Sequence, residues 1–361
     1  MTDVPVLHVV SSMQPGGGPA VVRALARGLK TRGFAPLVAG PDDGALVDAF
    51  RADGVDVAIV PTNRLGVSAV ARLARLMRDR RIRLVHSHGK GAGLHARLAA
   101  RGAGVPAVHT FHGIHFEGFS APARVTYLAL ERALARITAR AVFVSQTEHA
   151  EARRLRLVSA SAGRVIPNGV DHAGLTAAAL DRLAARKSLG LGETAFVVGA
   201  VARLDPVKGL DVLVDAMRDA GTAELVVIGD GPQRRALEAR AKTSRVRFAG
   251  AIGDAARLLR AFDVYATASA KEGLPIAVLE AMALGRPIVA SDIPAHREVL
   301  GTDYPLTPRT APAFAEAFAA LARDPRRAAD LAGRAERRVK DFDFEQMADA
   351  MARLYREVLL L

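Results

Sequence analysis

The sequence predicts an α/β protein of two doubly wound domains, each a parallel sheet with helices on both faces. Three observations predict it. Short apolar runs alternate with helix-period stretches along the chain, a pattern that implies parallel strands joined by crossover helices. The alternation runs through once and begins again after a turn at Pro167-Asn168-Gly169. The length, 361 residues with 50% hydrophobic, suits two domains that each bury a core.

The expected strands of the first set are residues 6–10, 37–39, 57–60, 84–86, 107–110 and 141–145, with helices at 20–30, 67–78 and 91–100. The second set has strands at 196–201, 225–228, 246–249, 264–266 and 288–290, with helices at 210–218, 233–241, 255–261 and 276–284. The expected domains are therefore 1–170 and 171–340. A last segment, 341–361, carries Met347, Met351, Leu354 and Val358 at helical spacing. Open α/β sheets bind ligands beyond the carboxyl ends of their strands. Two such domains facing a central cleft would place the site there.

Composition sets limits. Cysteine is absent, which excludes disulfides, thiolate metal sites and a cysteine nucleophile. Met1-Thr2-Asp3-Val4-Pro5 opens without a basic, apolar signal pattern, and no apolar run reaches the length of a bilayer span. The expectation is a cytoplasmic protein, at most peripheral on the cytoplasmic face of a membrane. The net charge is +13. Residues 1–170 hold 23 Lys+Arg against 11 Asp+Glu, whereas 171–361 hold 27 against 26. A basic half beside a neutral half suits an anionic partner, or only an Arg-rich surface.

Five segments carry candidate chemistry. Gln14-Pro15-Gly16-Gly17-Gly18-Pro19 follows the first strand and opens a helix, with Pro19 expected at the first helical position. Its free N–H groups favour phosphate, although it is neither G-x-G-x-x-G nor a P-loop. His86-Ser87-His88 and His109-Thr110-Phe111-His112 stand at strand ends, where imidazoles can bond a sugar hydroxyl or a developing charge. Zinc held by His86, His88, His109 and His112 is a competing reading, weakened by the absence of a fixed helical pair. Arg203 and Lys208 lie in the first turn of the second domain, suited to a diphosphate leaving group or simply solvated. Val227-Ile228-Gly229-Asp230-Gly231 is a tight turn common to α/β proteins. The fifth segment joins Glu272, Gly273, Leu274, Pro275 and Ile276 to Glu280. A helix starting near Pro275 offers N–H groups to phosphate, while Glu272 can accept from sugar hydroxyls and Glu280 from a ribose diol.

In order and spacing these segments, with VIPNGVD at the join, resemble the retaining glycosyltransferases of family GT4, over essentially the whole chain. The resemblance implies the GT-B fold of two Rossmann-like domains, with the terminal helix crossing back onto the first. It implies that His112 lies beneath the donor sugar. Glu272 would contact that sugar and Glu280 the ribose. Arg203 and Lys208 would hold the diphosphate, and Gly16 and Gly17 would close over the phosphates. Ala202 stands where glycine often precedes the arginine. Retention of configuration, no metal and no other cofactor are expected. The expected partners are a nucleotide-sugar donor, UDP-sugar ahead of GDP-mannose, and a glycan or lipid-linked acceptor of cell-envelope polysaccharide synthesis. The alternatives are a sugar-nucleotide epimerase of similar plan, a non-catalytic nucleotide-sugar binder, and an oxidoreductase, which lacks its glycine fingerprint.

Residues 64–101 hold ten Lys+Arg and one acidic residue, Asp79. Leu73, Ala74 and Met77 form a stripe beside Arg72, Arg75 and Arg78. Such a helix can lie on an anionic membrane, or pack into a core with a solvated arginine face. Nucleic acid is not expected, because no basic module interleaved with aromatics is present.

Overall fold

The computed structural model describes residues 3–114, 116, 118–159, 161–241 and 245–360. The chain divides into two compact units. Unit 1 runs to Asn168 and takes up the chain again from Glu345; unit 2 is Gly169–Phe344.

Unit 1 contains a parallel sheet of β1 (Val4–Val9), β2 (Phe34–Gly40), β3 (Asp56–Ile59), β4 (Leu84–His88), β5 (Ala107–Phe111), β6 (Arg140–Phe143) and β7 (Gly163–Val165). Its spatial order is β3-β2-β1-β4-β5-β6-β7. Unit 2 has β8 (Val197–Val201), β9 (Glu224–Ile228), β10 (Val246–Gly250), β11 (Val264–Thr267) and β12 (Ile288–Ala290), in the order β10-β9-β8-β11-β12. Strand order reverses between β1 and β4 and again between β8 and β11. Connections leave those pairs toward opposite faces, so each opens a crevice beyond its carboxyl ends. β4 and β5 are buried at every position, His86, His88 and His109 included.

The helix Val67–Asp79 settles the two readings of its stripe. Leu73 and Met77 pack with Leu7, Val9 and Val85 of the sheet and with Ala92, Ala96 and Ala99 of the helix Lys90–Ala103. Alanines on the second helix let the two helices approach closely. The stripe is thus core, and Arg72, Arg75 and Arg78 are exposed. The chain entering this helix exposes Leu65 and Val67, at 83% and 85%. No helix among the described residues is long and apolar enough to cross a membrane.

The terminal helix Phe344–Leu359 buries Met347, Met351, Leu354 and Tyr355 within unit 1. Arg32 fastens its first turns, 2.6 Å from Glu345 and 2.7 Å from Asp349. Two local expectations differ from the structure. Pro19 is the third helical residue, because the helix begins at Gly17. Its missing N–H is still harmless there, since the first-turn donors have no intrahelical acceptor. Residues 255–261 form a 3-10 helix in place of an α-helix. They bury Ala256, Leu258, Leu259 and Ala261. Three residues per turn aligns 256 with 259 and 258 with 261, whereas the α period scatters them.

The ion pair of Arg97 and Glu131 is enclosed. Arg97, on the Lys90–Ala103 helix, lies 2.8 Å from Glu131 on the helix Ala121–Ala135, with side chains 1% and 3% exposed. Glu131→Ala leaves a buried guanidinium without its counter-charge. We expect a loss of about 3–5 kcal/mol in urea denaturation. Breaking the exposed Arg75–Asp79 pair (80% and 60%) should cost less than about 1 kcal/mol. Equal effects would contradict this account.

Candidate active site

In unit 2 the candidate residues gather at the β8/β11 reversal. The chain leaving β8 turns through the 3-10 segment Pro206–Lys208 to Gly209, whose φ of 61° is left-handed. A Cβ there would stand 2.1 Å from the Ala268 carbonyl oxygen, so only glycine lets this loop close on the one after β11. Ala270 N–H donates to the Val207 carbonyl at 2.8 Å and completes the lock. The lock places Lys208 beside Glu272. The ammonium donates to both carboxylate oxygens, at 2.7 and 2.9 Å, and Ser269 Oγ donates to Oε1 at 2.7 Å. Burial pushes the Glu272 carboxyl up, but Lys208 and the hydrogen bonds from Lys208 and Ser269 outweigh it, so the group sits below its ordinary value. Glu272 is a carboxylate acceptor at neutral pH.

Pro275 occupies the N-cap position of the helix Ile276–Ala283. The N–H groups of Gly273, Leu274, Ile276 and Ala277 make no hydrogen bond among the described residues. They form the positive end of a helix, available to an anion. Glu280 follows as the fifth helical residue. Its carboxyl has no hydrogen-bond partner among the described residues. Burial, with Asp254 adding to it, raises its pKa to about 7. Arg203, in the same loop, makes no ion pair with Glu272 among the described residues. Its side chain is 74% exposed and pairs with Asp205. Both cations of the β8 loop therefore already have carboxylate partners. The turn at Gly229 and Gly231 proves structural: a Cβ at either would strike the backbone of Ala202 or Leu204 within 3 Å.

In unit 1 the glycine loop follows β1. Asp43 holds its base, accepting from Met13 N–H at 2.6 Å and Ser12 Oγ at 3.2 Å. A Cβ at Gly16 or Gly18 would meet no atom within 4 Å, and Gly16 is extended at φ 170°. Nothing within the protein demands glycine at these two positions. Gly16 and Gly17 are exposed at the start of the helix Gly17–Lys30.

The histidines separate by face. Strand alternation puts His86 and His88 on one side of β4, with Thr110 of β5, and His109 on the other side with Ser87. The zinc grouping of His86, His88, His109 and His112 is therefore not assembled. The histidines that do converge are His8, His86 and His88. His86 is buried and fully bonded, Nδ1 to the Tyr355 hydroxyl at 2.5 Å and Nε2 to Thr110 Oγ1 at 2.6 Å. Half-buried His112 bonds through Nε2 to His88 Nδ1 at 3.2 Å. Burial lowers its pKa to about 4, so it is neutral at physiological pH.

Sequence reasoning missed the groups that hold these residues in place. Glu148 accepts from Gly113 N–H at 2.5 Å and Val144 N–H at 3.1 Å, fixing the chain just after His112. The signal was present: Ser145-Gln146-Thr147-Glu148 has capping-box spacing, and Ser145 Oγ accepts from Glu148 N–H at 3.1 Å. Ser269, His8 and Tyr355 carry no local signature of their roles.

A Glycosyltransferase Family 4 model matches residues 15–173, and a Glycosyl transferases group 1 model matches residues 195–324. The chain is 32% identical to the phosphatidyl-myo-inositol mannosyltransferase of Mycobacterium leprae, covering 95% of this chain and 94% of that one. The protein is a family 4 glycosyltransferase. This glycosyltransferase is also 31% identical, over 70% of each chain, to the Escherichia coli UDP-Gal:alpha-D-GlcNAc-diphosphoundecaprenol alpha-1,3-galactosyltransferase. Its fold is GT-B. Anabaena HepE, solved with UDP and glucose, aligns with a TM-score of 0.85 over 97% of this chain and 98% of that one, at 23% identity. The enzyme is thus of the hexosyltransferase type.

The Glu280 carboxyl makes a pH prediction. Its folded pKa, about 7, lies above the ordinary 4.5. The neutral form therefore favours the native state. That stability is full below about pH 4.5 and is lost as the pH rises through about 7. Glu280→Gln removes the loss. Relative to the variant, the wild type should lose up to about 3 kcal/mol between pH 5 and pH 8. Parallel melting curves for the two proteins across that range would contradict it.

Proposed function

We propose that this enzyme transfers a hexose from a UDP-sugar to a hydroxyl of a lipid-linked envelope-glycan precursor, retaining the anomeric configuration and using no metal ion. The observation that carries the reading is the cluster at the β8/β11 reversal. There the Lys208 ammonium meets Glu272 beside the N–H groups of Gly273, Leu274, Ile276 and Ala277, which have no partner among the described residues. A nucleotide sugar asks for that combination. Its diphosphate needs cations and N–H donors, and its sugar hydroxyls need a carboxylate acceptor.

In this mechanism the bond between the anomeric carbon and the β-phosphate oxygen breaks, and the sugar becomes oxocarbenium-like. The departing oxygen gains negative charge. Lys208, Arg203 and the N–H groups at the start of the Ile276–Ala283 helix stabilise it, which is the role a metal ion would otherwise play. The acceptor oxygen attacks from the face the phosphate leaves, and that phosphate takes the acceptor's proton. Glu272 and His112 hold sugar hydroxyls, Glu280 accepts from the ribose diol, and Gly16 and Gly17 cover the phosphates. Uridine is favoured because the E. coli relative is named for UDP-Gal and HepE was solved with UDP. The diphosphoundecaprenol in the same E. coli name supports a lipid-linked acceptor.

Membrane contact, if the acceptor is lipid-linked, falls to Leu65 and Val67 with the exposed arginines around them, since the helical stripe behind them is core. Flotation should bring the enzyme up with anionic vesicles and not with neutral ones, less at high salt. Absence of binding to anionic vesicles at low salt would remove this part of the reading.

The decisive measurement is turnover of UDP- and GDP-hexoses with and without a polyprenyl-diphosphate sugar acceptor, the product linkage read by NMR. UDP release dependent on acceptor, a retained anomeric configuration and full activity in EDTA are expected. An inverted product, or activity lost to EDTA and restored by Mg²⁺, would overturn the corresponding claim. Sugar interconversion without acceptor would favour the epimerase. The glycine loop adds a second prediction. Gly16→Ala should leave Tm unchanged, because a Cβ there meets nothing in the protein. It should raise the donor KM roughly tenfold, because the added carbon stands where phosphate approaches.

A further inference from the structure

Three imidazoles form one hydrogen-bonded file in unit 1. His8 Nδ1 lies 3.1 Å from His88 Nε2, and His88 Nδ1 lies 3.2 Å from His112 Nε2. The rings of His8 and His88 are inclined by 16° and those of His88 and His112 by 26°, each pair with centroids 5.4 Å apart, so the three are near-parallel. His8 and His88 reach the same face because β1 and β4 pair in parallel with His8 opposite His86. Burial holds all three well below the ordinary histidine range, so each ring is neutral, with one N–H and one lone pair. In such a file the tautomer of one ring fixes the other two. Only two proton orders are possible, one the reverse of the other.

The inner end selects between them. His8 Nε2 is buried and has no hydrogen-bond partner among the described residues. An N–H there would be an orphan donor, which buried structure avoids more strictly than an unfilled acceptor. His8 therefore carries its proton on Nδ1 and donates to His88 Nε2. His88 then carries its proton on Nδ1 and donates to His112 Nε2. His112 is left with its proton on Nδ1, an atom with no partner among the described residues.

We propose that His8 and His88 are positioning residues that lock His112 in the Nδ1–H tautomer, so that it presents a neutral N–H donor to an oxygen of the donor sugar. The proposal rests on the reading that His112 touches that sugar. A sugar hydroxyl can donate or accept, so the ligand does not choose the tautomer; the file does. A metal ion is the competing occupant, since the ligand atoms of His8, His86 and His88 lie within 4.8 Å of one another. His86 has no nitrogen to offer it, because Tyr355 and Thr110 engage both.

The test is a long-range ¹⁵N–¹H spectrum of ¹⁵N-histidine-labelled full-length enzyme, which reads the protonated nitrogen of each ring, with kinetics alongside. The wild type should show His8, His88 and His112 all protonated on Nδ1. His88→Leu should release His112 to a tautomer mixture and lower kcat roughly 10- to 100-fold. His88→Asn, whose amide N–H can stand where Nδ1–H stood, should restore most of both. A wild-type His112 protonated on Nε2 would overturn the proposal, and that spectrum needs no variant to fold. An unchanged His112 spectrum in His88→Leu would also overturn it. So would stoichiometric zinc shifting the His8 and His88 signals. His112→Ala separates the two readings. Full activity in that variant refutes contact with the sugar, whatever the spectra show. Lost activity beside an unperturbed tautomer in His88→Leu refutes the file alone.

Discussion

A parallel sheet wound outward from a central pair of strands has one position where neighbouring connections depart to opposite faces. That constraint organises both halves of this enzyme. At β8/β11 it leaves two loops side by side with no helix between them. At β1/β4 it does the same for the glycine loop and the chain after His88. Lys208, Glu272, Gly16 and His88 sit on those loops or at the ends of those strands, and His112 follows the neighbouring strand β5. Nowhere else does a parallel sheet expose its carboxyl ends without covering them.

The two reversals are equipped in opposite ways. In unit 2 the crevice is charged. An ammonium, a carboxylate held ionised by it, and a helix start with open N–H groups make a site that can meet an anion and hydroxyls together. In unit 1 the histidine cluster is neutral. Burial keeps the histidines uncharged, and hydrogen bonds among His8, His88, His112, His86, Thr110 and Tyr355 satisfy most of their nitrogens. A buried polar network specifies one arrangement when its members are satisfied. Tyr355 ties that network to the terminal helix, so the last residues of the chain help order strands formed near its beginning.

Glycine has two meanings in this molecule. At Gly209 and in the Gly229–Gly231 turn, a side chain would collide with neighbouring backbone. Those glycines serve the packing of loops on one another. At Gly16 there is open space and an ordinary extended backbone. The residue type is the same, but at Gly16 no described neighbour requires it.

The sequence by itself determined the strands, their alternation with helices, the break near residue 168 and the candidate loops. Those features are local. A buried strand, a turn at Pro-Asn-Gly and a helix start at Gly-Leu-Pro are written in neighbouring residues, and Glu272, Lys208, His112 and Gly16 could be named from such patterns. Only the tertiary structure decided which face the 67–79 stripe covers, because a core-facing stripe and a membrane-facing one share the same period. It also decided that Lys208 meets Glu272, 64 residues on, and that His109 turns away from His86 and His88. His8 joins His88 across 80 residues and His86 meets Tyr355 across 269. Such partnerships depend on strand order and register, and no window of sequence contains both members.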